Sequence, residues 1–125
     1  MNQVLITHAF DKMLRKLWSV NIADINTVLQ KYLAGTWDTV ELYEEDWLIV
    51  LKCYLLGTKV RCVVAFQKEI GIFMPLYIVR KETPEGRNIT GKQGPFFAKI
   101  IRKYQDKDIA QNLYTLQILD LNLKK

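Results

Sequence analysis

The chain has 125 residues, half of them hydrophobic and a quarter charged, with a formal net charge of +5. This suits one globular domain whose core needs neither a metal nor a disulfide staple. No apolar run approaches the roughly 18–20 residues of a spanning helix, and the N-terminus MNQVLITHAFDKMLRK lacks the basic head, apolar middle and small-residue cleavage site of a signal peptide, so a cytoplasmic location is expected.

Two cysteines, Cys53 and Cys62, and the single histidine, His8, exclude most zinc frameworks, which want about four ligands at recognisable spacings. In a cytoplasmic chain the cysteines are expected to be reduced, buried thiols. No glycine-rich phosphate loop, nucleophile elbow or zinc-binding histidine pair is present, so neither cofactor nor metal is expected.

In chain order, Asn2 to Ile6 is a short apolar run that predicts a first strand. From His8 to Trp18 the spacing turns helical, with Phe10, Leu14 and Leu17 on one side. His8 opens that helix with no sequence partner for catalysis, which favours an N-cap or surface role. A second helix is predicted over Ile22 to Leu33, with Asn21 as N-cap and Gly35 as stop. Few residues join the two helices, so an antiparallel hairpin is expected. Thr39 to Tyr43 predicts a short strand carrying acids.

Residues 48–80 then predict three antiparallel strands, turning at Gly57-Thr58 and at Lys68-Glu69. Pro75 cannot donate to a ladder, so a bulge or an unpaired edge is expected there. Thr83 to Gly94 reads as a loop and Phe96 to Tyr104 as a short helix. Beyond Asp108, the helical spacing of Ile109, Leu113 and Leu116 competes with strand-like alternation from Leu119 to Leu123. The whole reads as a single α+β domain over residues 1–125, with 105–125 as a C-terminal extension. Its architecture is a two-helix hairpin packed on one face of a small antiparallel sheet, with a C-terminal helical segment.

Charge is unevenly distributed. Five acids and no base fall between Asp38 and Asp46, and five bases and no acid between Arg87 and Lys103. Such runs are either solvated surface or an acidic side held apart from a basic side that meets phosphate. A hairpin loop at Gly57-Thr58 sets Tyr54 opposite Arg61 and Cys53 opposite Cys62. One face then carries Ile49, Leu51, Cys53, Leu55, Val60, Cys62, Val64 and Phe66, where the helices should lie. The other carries Lys52, Tyr54 and Arg61 as neighbours, and is expected to be uncovered. A two-residue turn at Lys68-Glu69 adds Arg80 to that face, whereas a bulge at Pro75 would reverse the parity and substitute Lys81.

Adjacent cations lower each other's proton affinity, lysine's most, which would let Lys52 act as acid or base. Arginine suits a phosphodiester whose charge builds in a transition state, and Tyr54 offers a stacking surface or a hydroxyl. The competing reading is that these cations simply extend to solvent from an ordinary sheet.

The segment LIVLKCYLLGTKVRCVVAFQKEIGIFMPLYIVRKE, with the FDKMLRKL helix before it and ETPEGRNIT after it, resembles RelE/HigB-type toxins of bacterial toxin–antitoxin modules, over about Val4 to Lys103. The resemblance implies a metal-independent endoribonuclease that cuts mRNA, usually in the ribosomal A site, and is neutralised by a cognate antitoxin. Carried over by position, Lys52 resembles the family's basic residue before the hairpin and Arg61 its phosphate-contacting arginine. Arg80 and Lys81 resemble the basic pair closing the last strand. Candidate catalytic residues are therefore Lys52, Arg61 and Arg80, and candidate RNA contacts are Tyr54, Lys59, Lys81, Arg87 and Lys92. The chain departs from relatives with a tyrosine just after that strand, since none follows until Tyr104 in that direction. The alternatives are a ParE-like inhibitor of DNA gyrase acting by protein contact, and a non-catalytic basic RNA-binding domain.

Overall fold

The computed structural model describes residues 2–17, 20–35, 39–55, 60–80, 99, 111–112 and 114–118. Their elements run β1 (Gln3–Thr7), α1 (His8–Arg15), α2 (Ile22–Leu33), β2 (Thr39–Glu45), β3 (Leu48–Tyr54), β4 (Val60–Gln67), β5 (Ile72–Arg80) and β6 (Tyr114–Ile118). The fold is α+β, with two helices and one six-stranded sheet in the order β2-β3-β4-β5-β1-β6.

Local chemistry explains both helices. Thr7 ends β1 and caps α1, its hydroxyl accepting from the Phe10 N–H at 3.2 Å. His8 is therefore the first helical residue, not the cap, and it is exposed. Asn21 closes a reciprocal capping box on α2: its side chain accepts from the Asp24 N–H at 3.2 Å while its own N–H donates to Asp24 Oδ2 at 2.9 Å. The helix stops where Gly35 takes φ +87°, a conformation that costs glycine little. Both helices bury their apolar stripes on one face of the sheet. Phe10, Leu14, Ile25, Val28 and Leu29 share a core with Leu51, Cys53, Cys62, Val64 and Phe73.

The sheet is mixed, which corrects the expected antiparallel one. β1 pairs parallel with β5, Val4 opposite Phe73, and antiparallel with β6, Leu5 opposite Leu116. A parallel neighbour requires a crossover, supplied here by the two helices and the β2–β4 meander. Of the tail, which the spacing left open between helix and strand, Tyr114–Ile118 is a strand; the expected C-terminal helical segment is not shown among the described residues. Leu116 satisfies either period, and pairing along the free side of β1 decides between them. Within the helix expected at Phe96 to Tyr104 only Lys99 is described; the loop at 83–94 and the alternating run from Leu119 lie outside the described residues.

The β3–β4 ladder has the expected register, with Cys53 opposite Cys62 and Tyr54 opposite Arg61. The β4–β5 connection is longer than the two-residue turn expected, since Gln67 faces Ile72 across four residues. Two extra residues preserve side-chain parity. A bulge then breaks it: Val64 faces Pro75 while Val63 faces Tyr77, so Leu76 is the extra residue that the register passes over. Beyond it every side chain of β5 changes face, and Arg80 pairs with Val60.

Candidate nucleic-acid interface

The cation cluster lies where β3 ends and β4 begins. Lys52 and Tyr54 alternate onto the same side of β3, and the antiparallel register sets Arg61 directly across from Tyr54. The Tyr54 ring gathers both cations: Lys52 Nζ lies 5.5 Å from its centroid and Arg61 Cζ 4.5 Å. Both distances are within the range over which a ring quadrupole attracts a cation. Arg61 Nη1 also donates to the Val60 carbonyl at 3.1 Å, fixing one edge of the guanidinium to its own strand. All three side chains are half-buried.

Beneath them the sheet is rigidly packed. Cys53 and Cys62 are 0 % exposed on the helix side. Burial pushes the Cys53 thiol up to about 12. It also raises Cys62, with a smaller contribution from neighbouring Cys53. Both are free, neutral thiols, as expected of inert core residues.

Two expectations about this face are corrected. The face is not open through its centre: Leu48, Val50, Val63, Ala65, Met74 and Leu76 are each 0 % exposed and form a second core opposite the helices. The strands are apolar on both sides, which is the pattern of a sheet buried on both faces. Among the described residues of this face, the Lys52–Tyr54–Arg61 end combines cations with partial exposure. Arg80 does not join it, because the bulge at Leu76 turns that side chain toward the helix face and puts Val79 opposite Arg61. Lys59, Lys81, Arg87 and Lys92 lie outside the described residues.

The acidic run is largely engaged within the fold. Glu41 accepts from the Tyr32 hydroxyl at 3.4 Å, and Glu44 pairs with Lys68 at 3.1 Å. Glu45 accepts from the Tyr43 hydroxyl and from Trp47 Nε1, closing the β2–β3 hairpin. Tyr32 is itself raised by desolvation first and by Glu41 second. These carboxylates belong to the β2 edge, where charge also discourages pairing with another strand.

Two adjoining cavities of about 270 and 320 Å³ sit elsewhere, between α1 and β6, and share Ile6, Asp11, Arg15 and Thr115. Neither is lined by Lys52, Tyr54 or Arg61. Among the described residues no group of three or more His, Cys, Asp or Glu is placed to hold a metal ion. Nor is any helix among them long and apolar enough to cross a membrane.

The residue that sequence reasoning undervalued is Tyr54, treated as a separate RNA contact when its ring is what both cations share. The signal was present in the i, i+2 spacing of Lys52 and Tyr54 and the pairing of 54 with 61. The chain was compared with family models, curated proteins and solved structures, and none of the three matches it.

Proposed function

We propose that the protein is a metal-independent endoribonuclease of the toxin–antitoxin kind, cutting mRNA on the ribosome and held in check by a cognate antitoxin. The observation that carries this reading is the convergence of Lys52 and Arg61 on Tyr54 at one half-buried end of the sheet. The order of strand, two helices and antiparallel strands, which the likeness to RelE/HigB-type toxins implies, agrees with it.

The chemistry is a transesterification. A ribose 2′-oxygen attacks its own phosphorus, the bond to the 5′-oxygen breaks, and a 2′,3′-cyclic phosphate and a 5′-hydroxyl result. Negative charge accumulates on the non-bridging oxygens, where a guanidinium held in place before the reaction is most effective. Arg61 takes that role. Lys52 moves a proton to or from the reacting oxygens. Arg80 is left out of the catalytic set by its register, and Lys81 inherits the phosphate contact that the basic pair closing β5 would make. Lys59, Arg87 and Lys92, which lie outside the described residues, remain proposed RNA contacts.

Purified protein is tested on mRNA with and without translating ribosomes. Lys52→Ala and Arg61→Ala should each lower the cleavage rate by roughly a hundredfold or more, while Arg80→Ala stays within about threefold of the parent. Absence of cleavage, or normal cleavage by both site variants, sinks the mechanism. Inhibition of gyrase supercoiling without RNA cleavage would select the ParE-like alternative.

A further inference from the structure

Tyr54 does something that neither a stacking platform nor an acid–base hydroxyl explains. Lys52 and Arg61 project from the same face of a two-strand ladder as Tyr54, and like charges that share a face repel. Lysine in particular carries a flexible four-carbon stem that does not by itself fix where its ammonium settles. Instead both cationic groups lie within 5.5 Å of one ring centroid. The negative face of a phenol ring offsets the repulsion, and it does so through the ring, without using the hydroxyl.

The ring in turn is anchored. Tyr54 lies next to Cys53, which is fully buried opposite fully buried Cys62, so the backbone carrying the ring is tied to the core. Arg61 has a second tether in the Val60 carbonyl.

We infer that Tyr54 is a positioning residue whose ring holds Lys52 and Arg61 together so that both act on a single phosphate. This deepens the reading above and rests on it for the identity of the substrate. The site takes one oxyanion, clamped by an ammonium and a guanidinium whose conformational freedom is already restricted. Ordering a long side chain at the moment of binding is a main cost of association, and the ring removes part of it beforehand. The same arrangement makes the two cations interdependent. Removing either should weaken phosphate binding, and removing both should cost less than the product of the two single losses, because one anion is lost only once.

The experiment titrates the full-length protein with inorganic phosphate, following Lys52 ε-methylene and Arg61 δ-methylene resonances by NMR. In the parent both groups should show upfield ring-current shifts; their absence overturns the inference. Tyr54→Phe should retain the shifts and bind phosphate within about twofold of the parent. Tyr54→Leu should lose the shifts and bind roughly tenfold more weakly. Equal binding by Tyr54→Leu and the parent overturns the inference, and so does Tyr54→Phe binding as weakly as Tyr54→Leu, which would assign the role to the hydroxyl. The parent's ring-current shifts decide the matter on their own should Tyr54→Leu not fold. Because the titration involves no cleavage, a protein that binds phosphate in this pattern but never cuts RNA upholds the inference and removes only the nuclease reading.

Discussion

At the residue scale the buried thiols have a consequence for pH. Cys53 and Cys62 stay protonated in the fold well beyond their ordinary value of 9.0, Cys53 to about 12. Between those limits the unfolded chain has released protons that the folded chain still holds. Stability therefore falls as pH rises above 9, by up to about 1.4 kcal/mol per pH unit for each thiol. Tyr32, also raised, contributes in the same direction above its ordinary value of 10.0. Urea unfolding should accordingly show a lower midpoint at pH 10 than at pH 8, and Cys53→Ala should reduce that difference. A midpoint unchanged with pH would mean that the thiols are not desolvated as described. Reactivity follows the same logic, since a thiol held neutral in the core is a poor nucleophile until the chain opens.

At the scale of elements, short-range devices do much of the work. The capping box joining Asn21 and Asp24 satisfies the Asn21 N–H and gives the Asp24 N–H a side-chain acceptor beside the Asn21 carbonyl, which it also meets at 3.1 Å. Asn21→Ala is expected to destabilise the protein by about 1 kcal/mol, while Asn21→Asp, which can still accept from the helix, should cost less. Chemical denaturation of both variants measures this, and equal losses would argue against the cap. The bulge at Leu76 is the other element-scale device. By adding one residue between Pro75 and Tyr77 it places Ile78 in the helix-side core and Val79 beside Arg61. A strand without it would put Arg80, not Val79, on the site face.

For the molecule as a whole, the position of β1 matters most. It is inserted between β5 and β6, and Val4 and Phe73, paired across the β1–β5 seam, are both 0 % exposed. Phe73 stacks on Phe66 at 4.2 Å and meets Tyr32 edge-on at 6.2 Å, so the seam is knitted to β4 and α2. Phe73→Ala is expected to cost about 3–5 kcal/mol, measured as a loss of unfolding free energy, because it leaves a cavity at a fully buried position of the core. Native-state hydrogen exchange offers a further view of the same arrangement. Amides of β1, covered on both sides, should exchange only through global unfolding, and those of the outer strand β6 through smaller openings.

The sequence by itself determined α1 and α2 and the Asn21 cap, the three consecutive strands after Trp47, and the pairing of Cys53 with Cys62. These rest on periodicity, capping chemistry and one short hairpin, all of which act over a few residues. The cluster of Lys52, Tyr54 and Arg61 was legible for the same reason, since hairpin register fixes it. What only the tertiary structure decided was non-local. It joined β1 in parallel to a strand some seventy residues away, turned the tail into β6, and gave the sheet a second buried face. The fate of Arg80 belongs here too. A side-chain period of two makes one bulged residue enough to reverse a face; Pro75 marked where a bulge was expected, and only the register of the folded sheet decided that it formed and which way Arg80 fell. The opening expectation of three cations on an open sheet face thus becomes two cations, held by one tyrosine ring, at the partly exposed end of a sheet buried on both sides.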